Sequence, residues 1–267
     1  MKELIVRTIS GILYVSILVI AMFTSRELFF GLFLILGVLT LHEFKKLIQL
    51  KTYLPFLILA IALYFLSFQM IDYRIVYAFA LISCVVNLIL LKQLFNSTDA
   101  KPLESKRYIT TIFYLIAGFV FITLIPQREN GFTAQVLVGV FALIWANDSF
   151  AYLVGKNLGK HKLMERISPK KTIEGFLGGL GGSILVSFLI FRYTQLYSVF
   201  LWMGLAILVS IFGTYGDLIQ SKFKRQANVK DSGTLIPGHG GLYDRLDSIL
   251  YASPFVYTVL EFVDYVS

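Results

Sequence analysis

Cysteine is nearly absent from this chain. The single one, Cys84, lies inside an apolar run, so no intramolecular disulfide can form and the redox compartment stays open. Histidine is almost as scarce. The three present have no paired spacing, which argues against a zinc centre. Charge is thin too, 15% of residues where soluble domains carry about 25%. There are no ten-residue alternating strands of the kind a transmembrane β-barrel needs. No internal repeat is evident, which disfavours an inverted-repeat transporter. The first apolar segment lacks a small-residue cleavage site and reads as a retained span, not a removable signal.

Hydrocarbon is what the chain has in quantity. Of its 267 residues 57% are hydrophobic, and the mean hydropathy is +0.75. Apolar runs of about 17–25 residues recur, the length a helix needs to cross roughly 30 Å of lipid. The expected fold is an all-α polytopic membrane protein with nine spans, at roughly 4–23, 28–42, 54–71, 74–91, 109–126, 134–154, 173–191, 197–219 and 247–265. The short second span runs into HEFKKLIQLK, whose charges continue the helix along the interface. His42 and Glu43 there read as a solvated helix end, in a half that otherwise reads as scaffold.

Basic residues fix an expected orientation. With the N-terminus in the cytoplasm, all but four of the 24 Lys and Arg fall on the cytoplasmic side. The exceptions are Arg26, Arg74, Arg128 and Arg192. Nine spans then put the C-terminus on the opposite side. A net charge of +8 in such a chain marks cytoplasmic loops and anionic headgroups, not nucleic acid. The two halves differ in kind: residues 1–130 read as scaffold spans, and 131–267 as a region whose spans admit ionisable groups, a functional signal in lipid.

Three constellations carry that signal. In WANDSFAYLVGKNLGK, Trp145, Asp148 and Tyr152 share one helical face. Ser168-Pro169-Lys170-Lys171-Thr172 then precedes a new helix, either as a phosphate-binding corner or as a cap beside interfacial lysines. Second, Asp217 shares a face with Ser221 and is followed by Lys224 and Arg225; it either holds a ligand or pairs with a lysine. Third comes the polar stretch through Lys230, Asp231, Pro237, His239, Gly240 and Gly241 to Asp244, Arg245, Asp247 and Ser248. Asp244, Asp247 and Ser248 fall on one helical face. Carboxylates so close repel unless a cation intervenes. Together with Asp217 they favour a divalent ion, and Mg²⁺ suits an all-oxygen set. His239 reads equally as a phosphate donor or a turn residue. The glycines Gly175, Gly178, Gly179, Gly181 and Gly182 point to close helix packing.

The run Ser221, Lys224-Arg225, Lys230-Asp231, Pro237, His239-Gly240-Gly241, Asp244-Arg245, Asp247 resembles the signature of the phosphatidate cytidylyltransferase (CDP-diacylglycerol synthase) family, with no departure in the motif. The upstream WxxDxxAYxxGxxxG and SPxKTxEG elements are also similar to that family, and the likeness covers about the C-terminal half. The resemblance implies transfer of CMP from CTP to phosphatidic acid, giving CDP-diacylglycerol and pyrophosphate. Mg²⁺, with room for a second cation, would sit on Asp217, Asp244 and Asp247. Asp217, Lys224, Arg225, Asp244 and Arg245 would form the catalytic set. Ser168, Lys171, Thr172, Ser221, Lys230, Asp231, His239, Gly240, Gly241 and Asp148 would bind substrate. The partners implied are CTP, phosphatidic acid and membrane lipids, in the inner membrane with the site facing the cytoplasm; a homodimer is an open assembly. Rival readings are a CTP-dependent polyprenol kinase or ether-lipid cytidylyltransferase and, from another class, an ion-coupled transporter.

Overall fold

Backbone amides in hydrocarbon must bond to one another, and a single chain does this most directly as helix. The computed structural model describes residues 2–69, 72–96, 104–128, 131–238 and 240–266, with 2–7 and 104 described by backbone alone. Among them are α1 (Lys2–Thr24), α2 (Arg26–Leu47), α3 (Leu54–Ala62, continued as π-helix over Leu63–Phe68) and α4 (Tyr73–Phe95). Then come α5 (Glu104–Thr110, π-helical over Thr111–Ile116, then Ala117–Leu124), α6 (Ala134–Leu158), α7 (Ile173–Thr194), α8 (Val199–Gln226) and α9 (Tyr243–Val266). Seven of these are long and apolar enough to cross a membrane, and Thr8–Thr24 and Leu54–Phe68 are shorter apolar helices. The all-α polytopic membrane architecture expected from the sequence is the one that forms.

Two helices run further than hydropathy suggests. The expected eighth span stops at 219, but α8 continues to Gln226 because SKFKRQ is polar without being a poor helix former. Ser221, Lys224 and Arg225 therefore ride on the same rod as Asp217. Likewise α9 begins at Tyr243, so Asp244 and Asp247 occupy its first turns. Short hairpins join other helices: β1 (Gln127–Arg128) pairs with β2 (Gly131–Phe132) between α5 and α6, and β3 (Lys162–Met164) with β4 (Ser168–Thr172) between α6 and α7.

α9 is the hub of the core. Tyr243, Tyr251 and Tyr257 on it are fully buried. The Tyr114 and Tyr243 hydroxyls are 2.7 Å apart. Asn87 of α4 and Tyr251 lock reciprocally: Asn87 Nδ2 donates to the Tyr251 carbonyl (3.2 Å), and Tyr251 Oη donates to the Asn87 carbonyl (2.7 Å). α7 lies on α6 through the expected glycines. A Cβ on Gly178 would stand 2.5 Å from Val154, one on Gly179 2.7 Å from the Asn147 carbonyl, and one on Gly182 2.3 Å from the Phe150 ring. Gly181 faces open space.

α2 and α9 run antiparallel, which sorts the polar groups to two ends. At one end Arg128 bonds Asp264 (2.9 Å) and Glu261 (3.4 Å) beside Arg26. At the other, Glu43 meets the start of α9. That second end carries the acidic and basic residues singled out in the sequence.

Candidate active site

The site is built on a close approach of α8 and α9. A Cβ on Gly216 would lie 2.7 Å from the Asp247 carbonyl oxygen and 2.7 Å from Tyr251 Cβ, so only glycine lets these helices touch here. Asp217 follows immediately, and the contact sets it beside the turn that holds Asp247. From α6, Asp148 completes an acidic trio whose charges act on one another.

Asp148 is also the shared wall of two cavities. The smaller, about 200 Å³, is lined by Tyr14, Trp145, Asp148, Asp244, Arg245 and Asp247 among others. The Tyr14 hydroxyl, brought in by α1, is buried there without a hydrogen-bond partner among the described residues. The larger cavity, about 670 Å³, is lined by Asp148, Tyr152, Lys156, Lys162, Lys170, Lys171, Thr172 and Asp217 with apolar neighbours. The helical face expected to carry Trp145, Asp148 and Tyr152 thus faces both spaces.

Lys171 of β4 reaches α8 and places its Nζ 2.6 Å from Asp217 Oδ2. Ser221 Oγ donates to Asp217 Oδ1 at 3.2 Å. Burial works against the charge on Lys171, but the Asp217 carboxylate more than compensates and holds the lysine pKa above its ordinary value. Lys171 therefore stays cationic beside the cavity. Of the two readings of the Ser168–Thr172 segment, the cap is visible in the structure. Thr172 caps α7, its Oγ1 accepting from Gly175 N (3.1 Å), while Lys170 and Lys171 line the cavity. Lys162 Nζ donates to the Pro169 carbonyl (2.7 Å) and ties the hairpin together.

Asp244 behaves differently from its sequence neighbours. Oδ1 accepts from Lys224 Nζ (2.7 Å) and Gln220 Nε2 (2.7 Å). Oδ2 accepts from Ser232 N (2.9 Å) and Gly241 N (3.0 Å), and Ser232 Oγ stands 3.0 Å away with its one proton shared between this oxygen and Glu43. Both oxygens are committed to the protein, and Lys224 is committed with them. The pair is a buried clasp joining α8, α9 and the loop between them.

Glu43 is the residue that sequence reading missed. It is 7% exposed, not a solvated helix end. Its carboxylate accepts from Leu242 N (3.0 Å), Tyr243 N (2.9 Å) and Ser232 Oγ (2.8 Å). The available signal was an acidic residue at an apolar helix end with no basic partner four residues away. Ser232 and Gln220 were likewise overlooked.

Not every singled-out residue joins the acidic cluster. Arg225 turns to a separate basic cavity with Arg166 and Lys222, where it donates to the Ile167 carbonyl (3.4 Å). Lys230 and Asp231 are exposed on the loop, and Asp231 stands against Gly240, whose φ of +85° suits glycine. His239 lies outside the described residues.

Among the described residues no three His, Cys, Asp or Glu side chains stand close enough to share one ion. Asp148 and Asp247, however, line one cavity, and among the described residues no basic group stands at ion-pair distance from either. Ser248 N donates to Asp247 Oδ1 at 2.7 Å, and Asn147 Nδ2 only reaches Asp148 at 3.5 Å. Two carboxylates in that state suit a hard cation, with Asp217 next to them. Asp244, already saturated, is the weakest of the expected ligands in this arrangement.

Helices of membrane-spanning length with a polar cluster of facing acidic and basic side chains at one end define an all-α polytopic membrane protein. The family model described as "Cytidylyltransferase family" matches residues 5–263, and the chain belongs to that family. It is similar to the phosphatidate cytidylyltransferase of Staphylococcus aureus strain COL, 40% identical over 151 residues. It is also similar to those of Staphylococcus saprophyticus (40% over 152 residues) and Staphylococcus epidermidis strain ATCC 12228 (40% over 151 residues). Each match covers 56% of this chain and 56% of the relative, so the alignment spans little more than half of either.

Proposed function

We propose that this protein is a CTP:phosphatidate cytidylyltransferase, moving CMP from CTP to phosphatidic acid and releasing pyrophosphate. Family membership supports it, as do the printed names of the relatives. The single structural observation that carries it is Asp148 walling two cavities at once, one lysine-rich and one acidic. A reaction between a soluble polyanion and a lipid needs two adjoining berths at the bilayer surface. The site faces the cytoplasm of the inner membrane in this reading, as the basic-residue asymmetry requires.

The chemistry asked of the chain is electrostatic. A phosphomonoester dianion is already nucleophilic, so its oxygen can attack the α-phosphorus of CTP in line without a general base. The barrier is the meeting of two anions and the charge spread over the transferring group. Lys171, kept charged by Asp217, offers a fixed cation to one phosphate, with Lys156 and Lys170 at the same cavity. Arg245 at the neighbouring cavity offers a second. Mg²⁺, when bound, would supply Lewis-acid neutralisation of phosphate oxygens. Asp148 and Asp247, with Asp217 adjacent, would hold it, and nothing here fixes a second cation. The Lys224–Asp244 clasp keeps α8 and α9 in register under the loop. Apolar walls from Phe141, Ile144 and Ile249 suit the lipid side.

The test is to give purified protein CTP and phosphatidic acid, with and without EDTA. The proposal expects EDTA-sensitive, lipid-dependent release of pyrophosphate and formation of CDP-diacylglycerol. Release of CDP instead would make the protein a kinase, and no turnover of either kind would end the enzyme reading.

A further inference from the structure

The loop between α8 and α9 carries much of the sequence signature, and its apolar anchors are Leu242 in the core with Ala227 and Ile236 packed against it. Its short bridge, Ile236 to Gly240, closes only a turn. Besides the Asp244 clasp, polar anchors reach it from the N-terminal helices, the Ser10 hydroxyl of α1 donating to the Pro237 carbonyl at 3.1 Å. Glu43 of α2 accepts two consecutive backbone amides, Leu242 and Tyr243, at the place where α9 starts. It also lies 2.8 Å from the Ser232 hydroxyl, whose single proton it shares with Asp244 Oδ2 at 3.0 Å, while the Ser232 amide donates to that same Asp244 oxygen. A Cβ on Gly241 would come within 2.4 Å of Glu43 Oε2, and one on Gly233 within 2.5 Å of Oε1. The middle of the loop and its end at α9 are therefore pressed onto one carboxylate. The chain of contacts runs Glu43, Ser232, Asp244, Lys224.

We infer that Glu43 is a positioning residue for the nucleotide-handling loop: through Ser232 and the first amides of α9 it sets the loop and the Lys224–Asp244 clasp in the geometry that receives CTP. This rests on the cytidylyltransferase reading above. An anion at the start of a helix is favourable in itself, since the free amides and the helix dipole attract it. That alone would account for the Leu242 and Tyr243 contacts. It does not account for the third bond, to a loop serine that simultaneously holds Asp244. Glutamine at position 43 keeps the shape but must turn an NH₂ toward one of three donors, so at least one bond is lost.

The experiment compares wild type, E43Q, E43D and S232A, each isolated as the monodisperse fraction in detergent. KM for CTP, KM for phosphatidic acid, kcat and thermal midpoint are measured for each. The expected result is a fall of about tenfold or more in kcat/KM for CTP in E43Q, and a smaller one in S232A. KM for phosphatidic acid should stay within about twofold in both, and E43D should recover part of the loss. S232A removes no charge, so it keeps the test alive should E43Q fail to fold. Wild-type CTP kinetics in S232A and in folded E43Q, with only the melting temperature lowered, would overturn the inference and leave Glu43 a structural cap. A wild-type protein that makes no CDP-diacylglycerol in the same assay would remove the function it rests on, which is a separate failure.

Discussion

Lys171 Nζ stands 2.6 Å from Asp217 Oδ2, an ion pair that joins the β3–β4 hairpin to α8 across the mouth of the larger cavity. Its two side chains are 26% and 34% exposed, so solvent screens it and its contribution to folding is at most about 1 kcal/mol. Its value is local: it keeps a cation and a carboxylate aimed at one space. Asp217→Asn should therefore cost at least about a hundredfold in kcat while shifting the melting temperature little. Lys171→Met should behave alike, with KM for one substrate raised as well. Steady-state kinetics beside thermal unfolding in detergent read both. Near-normal turnover in D217N would remove this carboxylate from the site.

Asp244 should give the opposite balance. The Lys224–Asp244 pair is 12% and 7% exposed, and Asp244 accepts from Lys224, Gln220 and the Ser232 and Gly241 amides while sharing the Ser232 hydroxyl with Glu43. Breaking a buried pair from one side leaves the other charge stranded, at about 3–5 kcal/mol. Asp244→Ala should lose stability and activity together, seen as a lowered melting temperature and a reduced folded yield. From sequence alone the two aspartates look equivalent, and an Asn at either would be expected to abolish turnover without disturbing the fold. The structure separates them by their partners. A stable but inactive D244A would restore the equivalence.

The contrast shows where sequence reading reaches its limit. Apolar runs reveal helices because lipid enforces the pattern, so nearly all of the bundle was legible. Trp145, Asp148 and Tyr152 were legible as a face because helical spacing is regular. Whether an aspartate turns toward a cavity or into a loop is decided by donors far along the chain, such as Ser232 and Gly241 for Asp244. Glu43 was hidden for the same reason: its partners Leu242 and Tyr243 contribute only backbone amides, which leave no mark in side-chain identity. The helix ends at Gln226 and Tyr243 were missed because polar helix has no hydropathy signal.

The glycines of α7 give a prediction with an internal control. Gly179 would bring a Cβ to 2.7 Å from the Asn147 carbonyl, backbone that cannot yield, whereas Gly181 meets nothing within 4 Å. Gly179→Ala should destabilise by about 1–3 kcal/mol through forced separation of α6 and α7. Gly181→Ala should be neutral or slightly stabilising, since alanine favours helix over glycine. Because Asp148 rides on α6, G179A should also lower turnover, and G181A should not. Melting curves and pyrophosphate release on the two proteins check both halves; equal behaviour would mean that close packing is not what the glycines provide.

Asp148 and Asp247 supply the test of the metal reading. Each lines the 200 Å³ cavity without a basic partner at ion-pair distance among the described residues, so each would be relieved of repulsion by a divalent ion. An ion that binds the folded protein stabilises it by mass action, about 2.7 kcal/mol at a hundredfold excess over its Kd. Mg²⁺ should therefore raise the melting temperature of the wild type in the absence of any substrate, and EDTA should reverse this. In Asp247→Asn and Asp148→Asn that increment should shrink, and the Mg²⁺ concentration for half-maximal turnover should rise by about tenfold or more. Lys224→Gln should leave the Mg²⁺ increment intact in whatever fraction folds, because Lys224 serves the Asp244 clasp and not the ion. If Mg²⁺ stabilises wild type and D247N equally, the ion binds elsewhere and these two carboxylates have another task. If it stabilises neither, any ion must arrive with the nucleotide, held by its phosphates before the protein engages it.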